Sequence, residues 1–272
     1  MDDEFQRVIA SRGSHERLGN VEGGRKNVSQ PRPGPAAGVL YLVATPIGNL
    51  EDMSARALRV LGEVRAVAAE DTRRTRRLLD HFGLSMPVVS LFEHNERGRV
   101  PELVERLCRG ESLALVTDAG SPGVADPGYR LVRAAIDAGA VVQSVPGPSA
   151  VIAALQVSGL PTDSFTFAGF LPVKPGARRR RLAALARRRE TVVVFEAPHR
   201  IEAALGDLET TWGERPIALA RELTKTFEEV LRGSARQVRE QLTAEKRRGE
   251  MVLVLSGLGR RAADDADLDE DS

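Results

Sequence analysis

Residues 113–128 read LALVTDAGSPGVADPG. The first four are apolar, which predicts a short strand that is buried on both faces of a sheet. The next twelve residues, 117–128, hold three glycines and two prolines. Glycine lets the backbone lie close to a ligand because it has no Cβ, and proline restricts the chain. The stretch therefore predicts a buried strand followed by a ligand-contacting loop, although this composition is also typical of an ordinary turn.

The same alternation extends to both sides of this stretch. Four more apolar runs predict strands, and segments of helical periodicity separate them; the runs lie at 39–44, 64–71, 88–92 and 141–147. Strands that alternate with helices predict a mostly parallel sheet covered on both faces. Ligands of such sheets bind at the carboxyl ends of the strands. Here those ends carry ATPIGN, AEDTRR, FEHNE, TDAGSPG and PGPSA.

The pattern changes after the helix predicted from Ser149 onward. The later strand-like runs are FTFAGFLP, TVVVFEAP, PIALAREL, EEVLRGS and EMVLVLSG, and the third and fourth follow each other closely, like a hairpin. We therefore predict two α/β domains with a boundary near residues 152–162. The predicted organisation is a disordered extension at 1–37, an N-terminal domain at 38–155, a C-terminal domain at 156–258 and an acidic disordered tail at 259–272.

Composition narrows the class of protein. The formal net charge is +1, and Cys108 is the single cysteine, so an intramolecular disulfide is excluded. The helical pattern around Cys108 favours a packed thiol over a nucleophile. No apolar run approaches the about 20 residues that span a bilayer, and the N-terminus lacks the apolar segment of a signal peptide. We expect a cytoplasmic protein that does not bind membranes.

Several common sites are missing from the sequence. There is no G-x-x-x-x-G-K-S/T phosphate loop, no G-x-G-x-x-G after the first strand and no G-x-S-x-G nucleophile motif. The four histidines, His15, His81, His94 and His199, lie far apart, and neither H-E-x-x-H nor C-x-x-C occurs. We therefore expect no metal site.

Eight segments together carry a resemblance to a known family. They are ATPIGNLEDMSARAL, AVAAEDTRRTRRLL, FEHNE, TDAGSPGVADPG, VPGPSAVIAAL, FEAPHRI, RELTKTFEE and GEMVLVLSG. In this order they resemble the tetrapyrrole-methylase-like superfamily of class III S-adenosylmethionine methyltransferases. Within it they match the bacterial branch that methylates the ribose 2′-oxygen of a cytidine in 16S ribosomal RNA, at the decoding centre. The resemblance runs from about Gly38 to Gly257.

The resemblance implies a cleft between two α/β domains, with S-adenosylmethionine at the strand ends of the first. It assigns eight residues to the cofactor: Ile47, Gly48, Gly120, Ser121, Pro122, Val124, Ser149 and Ala150. The sequence has ATPIGN where porphyrin methylases carry a G-x-G-P-G loop, and AGSP where they carry G-D-P. Both departures are typical of the ribosomal RNA branch, and they make Ile47 and Ser121 less secure as assignments than Gly120.

The residue that assists the chemistry stays open at this stage. A ribose hydroxyl is a poor nucleophile, so a nearby base or hydrogen-bond acceptor would help by roughly 10²–10⁴-fold. Four candidates are Glu196, His199, Glu96 and, if burial lowers its pKa, Lys225. Three of them have an ordinary alternative: His199 as a contact at a helix start, Lys225 as a surface lysine, and Glu96 as part of a polar loop.

Arginines form the predicted RNA-binding surface. Seven lie within residues 178–189, which is more than solubility of a helix face requires, and they follow the Gly/Pro-rich LPVKPG. We predict that Arg178, Arg179, Arg180 and Arg181 lie on a mobile loop and that Arg187, Arg188 and Arg189 lie on the next helix, facing RNA phosphates. Arg73 is predicted at the mouth of the cleft. The alternatives are a solvated helix face for the cluster and a helix cap with exposed charges for residues 70–73.

Three functions compete at this stage. The first is the RNA 2′-O-methyltransferase, with the 16S RNA or the 30S subunit as partner and a homodimer implied by the resemblance. The second is a methylase of the same fold that acts on a porphyrin or corrinoid, which the arginine cluster and ATPIGN disfavour. The third is a ribosome-assembly factor without enzymatic activity, which an intact cofactor pocket disfavours.

Overall fold

The computed structural model describes residues 38–259. The extension predicted at 1–37 and the acidic tail predicted after Gly259 lie outside the described residues. Within the described part, no helix is long and apolar enough to cross a membrane.

The first half of the described chain forms a five-stranded parallel sheet. Its strands are β1 (Val39–Val43), β2 (Ala66–Ala69), β3 (Val88–Ser90), β4 (Leu113–Val116) and β5 (Val141–Val145). Their order is β3-β2-β4-β1-β5, and every neighbouring pair is parallel. All residues of β2 and β4 are buried, as expected for strands covered on both faces. The predicted parallel sheet is confirmed.

Helices cover both faces of this sheet. They are α1 (Ala55–Glu63), α2 (Thr72–His81), α3 (Glu96–Cys108) and α4 (Tyr129–Asp137). Leu61 and Leu79 pack with Val67 on one face, whereas Leu103 and Leu131 belong to the cluster on the other. The predicted caps are present: the Ser54 hydroxyl accepts from an amide of α1, and the Asp71 carboxylate accepts from two amides of α2.

Two local predictions in this half were wrong. Asp126-Pro127 predicts a helix start, with Asp as the cap and Pro in the first position, but α4 begins at Tyr129, because Gly128 precedes it with a φ of 130°, a backbone conformation that glycine tolerates. Cys108, expected as a packed thiol, is exposed because it ends α3 on the solvent side, while Leu103 and Leu107 make the buried contacts.

The second half forms another five-stranded sheet of mixed direction. Its strands are β6 (Phe165–Phe170), β7 (Thr191–Glu196), β8 (Ile217–Arg221), β9 (Glu229–Gly233) and β10 (Met251–Leu255). The order is β6-β7-β10-β8-β9, with β6 and β7 parallel and the other pairs antiparallel. The five strands predicted from the sequence and the β8–β9 hairpin are confirmed.

Helices also lie on both faces of the second sheet. They are α5 (Ala150–Ser158), α6 (Pro175–Leu185), α7 (Ile201–Trp212) and α8 (Ala235–Gln241). The last three share one buried cluster, whereas α5 packs on the opposite face against β8 and β10. The domain boundary predicted at 155/156 therefore falls inside a helix that packs on the second sheet. Two short 3-10 helices, Leu50–Asp52 and Ala244–Lys246, complete the described elements.

The segment with the first four arginines of the cluster is a helix and not the mobile loop that we predicted. Pro175 occupies the first turn of α6, where its missing N–H is not needed and its fixed φ favours a helix. Leu182 and Leu185 are buried, as expected. The helix predicted to carry them toward the core is present as the end of α6, but it stops at Leu185. Arg187, Arg188 and Arg189 therefore follow the helix and do not lie on it as predicted.

Arg178 differs from the other arginines because it is buried, with 5% of its surface exposed. Its Nε donates to Asp207 Oδ2 on α7 at 2.7 Å, and both side chains are largely buried. Arg178 therefore joins α6 to α7 and does not face RNA, which corrects its predicted role. Arg179, Arg180 and Arg181 are exposed.

We predict that Arg178→Ala lowers the free energy of unfolding by about 3–5 kcal/mol, because it leaves the Asp207 carboxylate buried without its partner. Arg179→Ala, on the exposed side of the same helix, should change it by less than about 0.5 kcal/mol. Chemical denaturation of both variants measures the difference. Similar small losses for the two variants would contradict a structural role of the Arg178–Asp207 pair.

Candidate functional site

The loops after β1 and β4 are joined by two backbone hydrogen bonds. Thr45 N donates to Gly120 O at 2.9 Å, and Gly120 N donates to Thr45 O at 3.0 Å. The Thr45 hydroxyl donates to the carbonyl of Thr117 at 3.1 Å. Gly120 has a φ of +82°, a conformation that side-chain-bearing residues rarely adopt. The paired loops form one rigid wall at the carboxyl edge of the first sheet.

A cavity of about 340 Å³ lies between this wall and the second sheet, and we call it the first cavity. The first half contributes Ile47, Ala119, Gly120, Ser121, Val124, Ala125, Asp126, Ser149, Ala150 and Val151. The second half contributes Phe170, Phe195, Glu196, Ala197, Pro198, Gly249, Glu250, Met251 and Val252. Its size is within the range of about 300–1,000 Å³ that is usual for small-molecule sites.

Six of the eight predicted cofactor residues line the first cavity: Ile47, Gly120, Ser121, Val124, Ser149 and Ala150. Pro122 is buried beside the loop and lines neither this cavity nor the one described below. Gly48 faces away from the first cavity. A Cβ on Gly48 would lie 2.4 Å from Lys225 Cγ and 3.0 Å from the carbonyl of Leu223, so glycine is needed where the β8–β9 loop packs on this residue.

The start of α5 presents polar backbone to the first cavity. Ser149 is the N-cap, and its hydroxyl accepts from Ile152 N at 3.5 Å. Ser149, Ala150 and Val151 all line the cavity. Because the first amides of a helix have no partner inside it, this end suits an anionic or strongly polar group of a ligand.

Glu196 is the carboxylate at the opposite wall. It ends β7, is 2% exposed and lines the first cavity. One oxygen, Oε1, accepts from Ala197 N at 2.8 Å and pairs with Arg200 Nη2 at 2.5 Å. The other, Oε2, has no hydrogen-bond partner within residues 38–259. Glu196 therefore places an oxygen without a partner beneath the surface of the cavity wall, because its side chain has no solvent-exposed area.

The other three catalytic candidates do not line the first cavity. His199 is exposed three residues beyond Glu196. Glu96 is 6% exposed and accepts from the amide of Gly128 at 3.1 Å, so it holds the entry to α4. Glu96 is therefore a buried structural contact at the start of α3 and not part of the polar loop given as its alternative.

Lys225 could act as a base only if its pKa were lowered, and the structure shows the opposite direction. Its Nζ lies 2.9 Å from Glu222 Oε1 and 3.3 Å from Glu250 Oε2. Burial alone would lower the pKa of Lys225, but the hydrogen bonds and charges of these two carboxylates outweigh it, so its pKa lies above the ordinary value. Lys225 is a cation held between two acids.

Sequence analysis did not assign Phe170, Phe195 or Asp126 to the site, although all three line the cavity. Phe170 is 57% exposed, and its ring centroid lies 5.4 Å from that of Phe195. Asp126 belongs to a group of acids around Thr117, together with Glu70 and Asp118. Burial is the main cause that raises the pKa of Asp126, and the charge of Asp118 adds to it, against a hydrogen bond from Thr117. Burial and the charges of Asp126 and Asp118 likewise raise the pKa of Glu70.

A second cavity, of about 390 Å³, lies on the other side of the loop after β1. It is lined by Thr45, Pro46, Gly48, Leu50, Arg74, Thr75, Arg77, Leu78, His81, Thr117 and Asp118. Ile47 lines the first cavity, whereas its neighbours Pro46 and Gly48 line the second. A single loop thus separates the two cavities. We call the second one the α2 groove.

Sequence comparisons place this site in a known family. The profile described as Tetrapyrrole (Corrin/Porphyrin) Methylases matches residues 39–239. A protein from Xylella fastidiosa named ribosomal RNA small subunit methyltransferase I is 53% identical over 223 residues, which are 81% of this chain and 82% of that protein. A protein of the same name from Pseudomonas aeruginosa is 48% identical over 225 residues, 82% of this chain and 80% of its own length.

Solved structures share the fold at lower identity. The uroporphyrin-III-C-methyltransferase of Thermus thermophilus superposes with a TM-score of 0.56 at 24% identity, covering 80% of this chain and 94% of its own. A diphthine synthase superposes with a TM-score of 0.60 at 16% identity, covering 80% of this chain and 89% of its own. At these identities the likeness concerns the fold alone.

The raised pKa of Asp126 makes stability depend on pH in a defined direction. A carboxyl whose pKa in the folded state exceeds the ordinary 3.8 adds most stability below that pH, and loses it as pH rises through the folded-state value. Asp126→Asn should therefore raise the free energy of unfolding at pH 7, and the gain should vanish below pH 3.8. Denaturation at both pH values measures this, with exposed Asp80→Asn as control. A destabilised Asp126→Asn at pH 7 would contradict the assignment.

Proposed function

The chain belongs to the tetrapyrrole (corrin/porphyrin) methylase family, and from this premise we propose that it methylates the ribose 2′-oxygen of a cytidine in 16S ribosomal RNA, at the decoding centre of the small subunit. The protein is a methyltransferase, and S-adenosylmethionine is its methyl donor. The RNA, the nucleoside and the oxygen are the parts that we propose.

The choice of RNA rests on the relatives. Those that share about half of their residues with this chain are named for the RNA of the small ribosomal subunit. The choice of a cytidine 2′-oxygen rests on the resemblance of the motifs, above all ATPIGN and AGSP in the two paired loops. These two loops form the wall between the first cavity and the α2 groove.

The observation that carries the proposal is the fit of the first cavity to the cofactor. S-Adenosylmethionine combines a purine and a sugar with a sulfonium, an ammonium and a carboxylate. Gly120 lets the loop backbone approach a ligand, and the free amides at the start of α5 suit a carboxylate. Asp126 and Glu196 place acidic oxygens in the same cavity for the positive groups. The residues present fit the cofactor.

The cofactor, when bound, supplies an activated methyl group, and the chain supplies position and charge. Alignment of the acceptor oxygen with that methyl lowers the barrier by making the encounter intramolecular. Glu196 Oε2 is a buried oxygen without a partner in the cavity wall, and we propose that it turns toward the bound substrate to accept a hydrogen bond from the ribose hydroxyl. Arg200 pairs with the other oxygen and orients the carboxylate. Lys225, held as a cation, would donate and not accept.

Exposed arginines supply the contact with RNA in this proposal. Arg73 is 82% exposed at the start of α2. Arg179, Arg180, Arg181, Arg187 and Arg188 are exposed on and after α6. Such side chains bind phosphates without reading sequence, and the affinity falls with salt. On the resemblance we also propose a homodimer that works in the cytoplasm on the RNA or on the assembled 30S subunit.

Nucleoside mass spectrometry tests the proposal. Small subunits from a strain that lacks this protein should lack one ribose-methylated cytidine in 16S RNA, and purified protein with S-adenosylmethionine should restore it. Gly120→Leu serves as the control, because a side chain there, beside Ile47, would fill the cofactor cavity.

Restoration by the parent and none by Gly120→Leu is the expected result. A methyl group on a base would refute the ribose assignment. No transfer to subunits or RNA, with transfer to a tetrapyrrole instead, would favour a small-molecule methylase.

A further inference from the structure

We propose that the α2 groove binds the ribose-phosphate backbone of the RNA next to the acceptor nucleotide. This inference rests on the proposed function, because it names where that substrate lies. It starts from the position of the groove, which is separated by one loop from the cofactor cavity. A nucleotide whose ribose reaches the first cavity must have its neighbouring phosphates close to that loop.

Three nitrogen-bearing side chains of α2 face the groove. Arg74, Arg77 and His81 are three and four residues apart, which is the spacing of one helix face, and all three line the groove. The helix dictates this alignment, because residues at these intervals stack along one side. The side chains therefore form a row along one wall, where they can donate hydrogen bonds to successive phosphates of an extended chain.

The charges in the groove favour an anion. Arg74 Nη1 donates to Asp118 Oδ2 at 3.0 Å, which uses one of its five donors and fixes the guanidinium at the wall. Arg77 makes no ion pair with any carboxylate of residues 38–259. Arg74 lies near two carboxylates, Asp118 and Glu70, so its charge is offset. Arg77 supplies the positive charge that faces the groove without an ion-pair partner in the described part of the chain. Guanidinium groups match phosphate oxygens in geometry as well as in charge.

Apolar side chains in the groove favour an extended chain over an isolated phosphate as the ligand. Pro46, Leu50 and Leu78 give the groove apolar surface between the charged groups. Leu50 is 41% exposed, which leaves a contact area for a sugar or base. A free phosphate ion would use only the arginines, whereas a ribose-phosphate chain uses both kinds of surface.

The chain offers a matched pair of arginines for the test. Arg77 lines the groove, whereas Arg76 on the same helix does not. Both are exposed, and neither has an ion-pair partner among the described residues. Arg77→Ala and Arg76→Ala therefore remove the same charge from the same helix, and only Arg77→Ala changes the lining of the groove.

The experiment measures binding of the full-length parent and variants to small subunits from the deletion strain, at two salt concentrations. Arg77→Ala should weaken binding about tenfold and reduce the slope against salt by about one, as expected for one lost phosphate contact. Its KM for subunits should rise with kcat unchanged, and calorimetry should show unchanged affinity for S-adenosylmethionine. Arg76→Ala should change binding less than about twofold. Arg77→Lys should recover part of the loss because it restores the charge.

Other outcomes are decisive as well. Equal effects of Arg76→Ala and Arg77→Ala would overturn the groove assignment and leave general electrostatic attraction. A loss of cofactor affinity in Arg77→Ala would overturn it in favour of a cofactor role. Competition by free cytidine monophosphate as strong as by RNA would assign the groove to a small nucleotide. If the parent protein neither binds nor methylates subunits, both the proposed function and this inference fail. If the parent binds and methylates subunits and Arg77→Ala binds them equally well, only this inference fails.

Discussion

The site depends on the reciprocal hydrogen bonds between Thr45 and Gly120. Both residues are buried, and each would otherwise leave an amide and a carbonyl without a partner, which is costly in a protein interior. The pair continues the contact of β1 with β4 beyond the ends of the strands. It places Ile47 on one side of the loop and Gly48 on the other, so two cavities arise from one wall. The division between cofactor cavity and acceptor groove that we propose uses this geometry.

The elements of the first sheet could be predicted because their signals are local. The apolar run of each strand, the capping side chains of Ser54, Asp71 and Ser149, and the glycines that end the helices all act within a few residues. The start of helix α6, over residues 175–181, was missed for the opposite reason. Its Gly/Pro content suggested a loop, but proline is favoured in a first turn, and the tie from Arg178 to Asp207 connects residues 29 positions apart.

The residues of the site divide in the same way: those in local sequence motifs could be predicted, and those that depend on contacts between distant segments could not. Cofactor residues on the loops of the first half were predicted from motifs, and six of the eight line the first cavity. Phe170 and Met251 complete that cavity from the second sheet, and neither was assigned to the cofactor, although Met251 lies in the motif GEMVLVLSG. The charge state of Lys225 also depends on distant partners, because Glu250 approaches it from the start of β10. Burial alone suggested a lowered pKa, and the two carboxylates reverse the direction.

The most direct test of this account is a crystal structure of the protein with S-adenosylhomocysteine, the product that remains after methyl transfer. The account predicts the ligand in the first cavity, against Gly120 and the start of α5, with the sulfur on the side of Glu196 and the α2 groove free of it. A ligand bound in the α2 groove, or one that separates Thr45 from Gly120, would contradict the division of the site into a cofactor cavity and an acceptor groove.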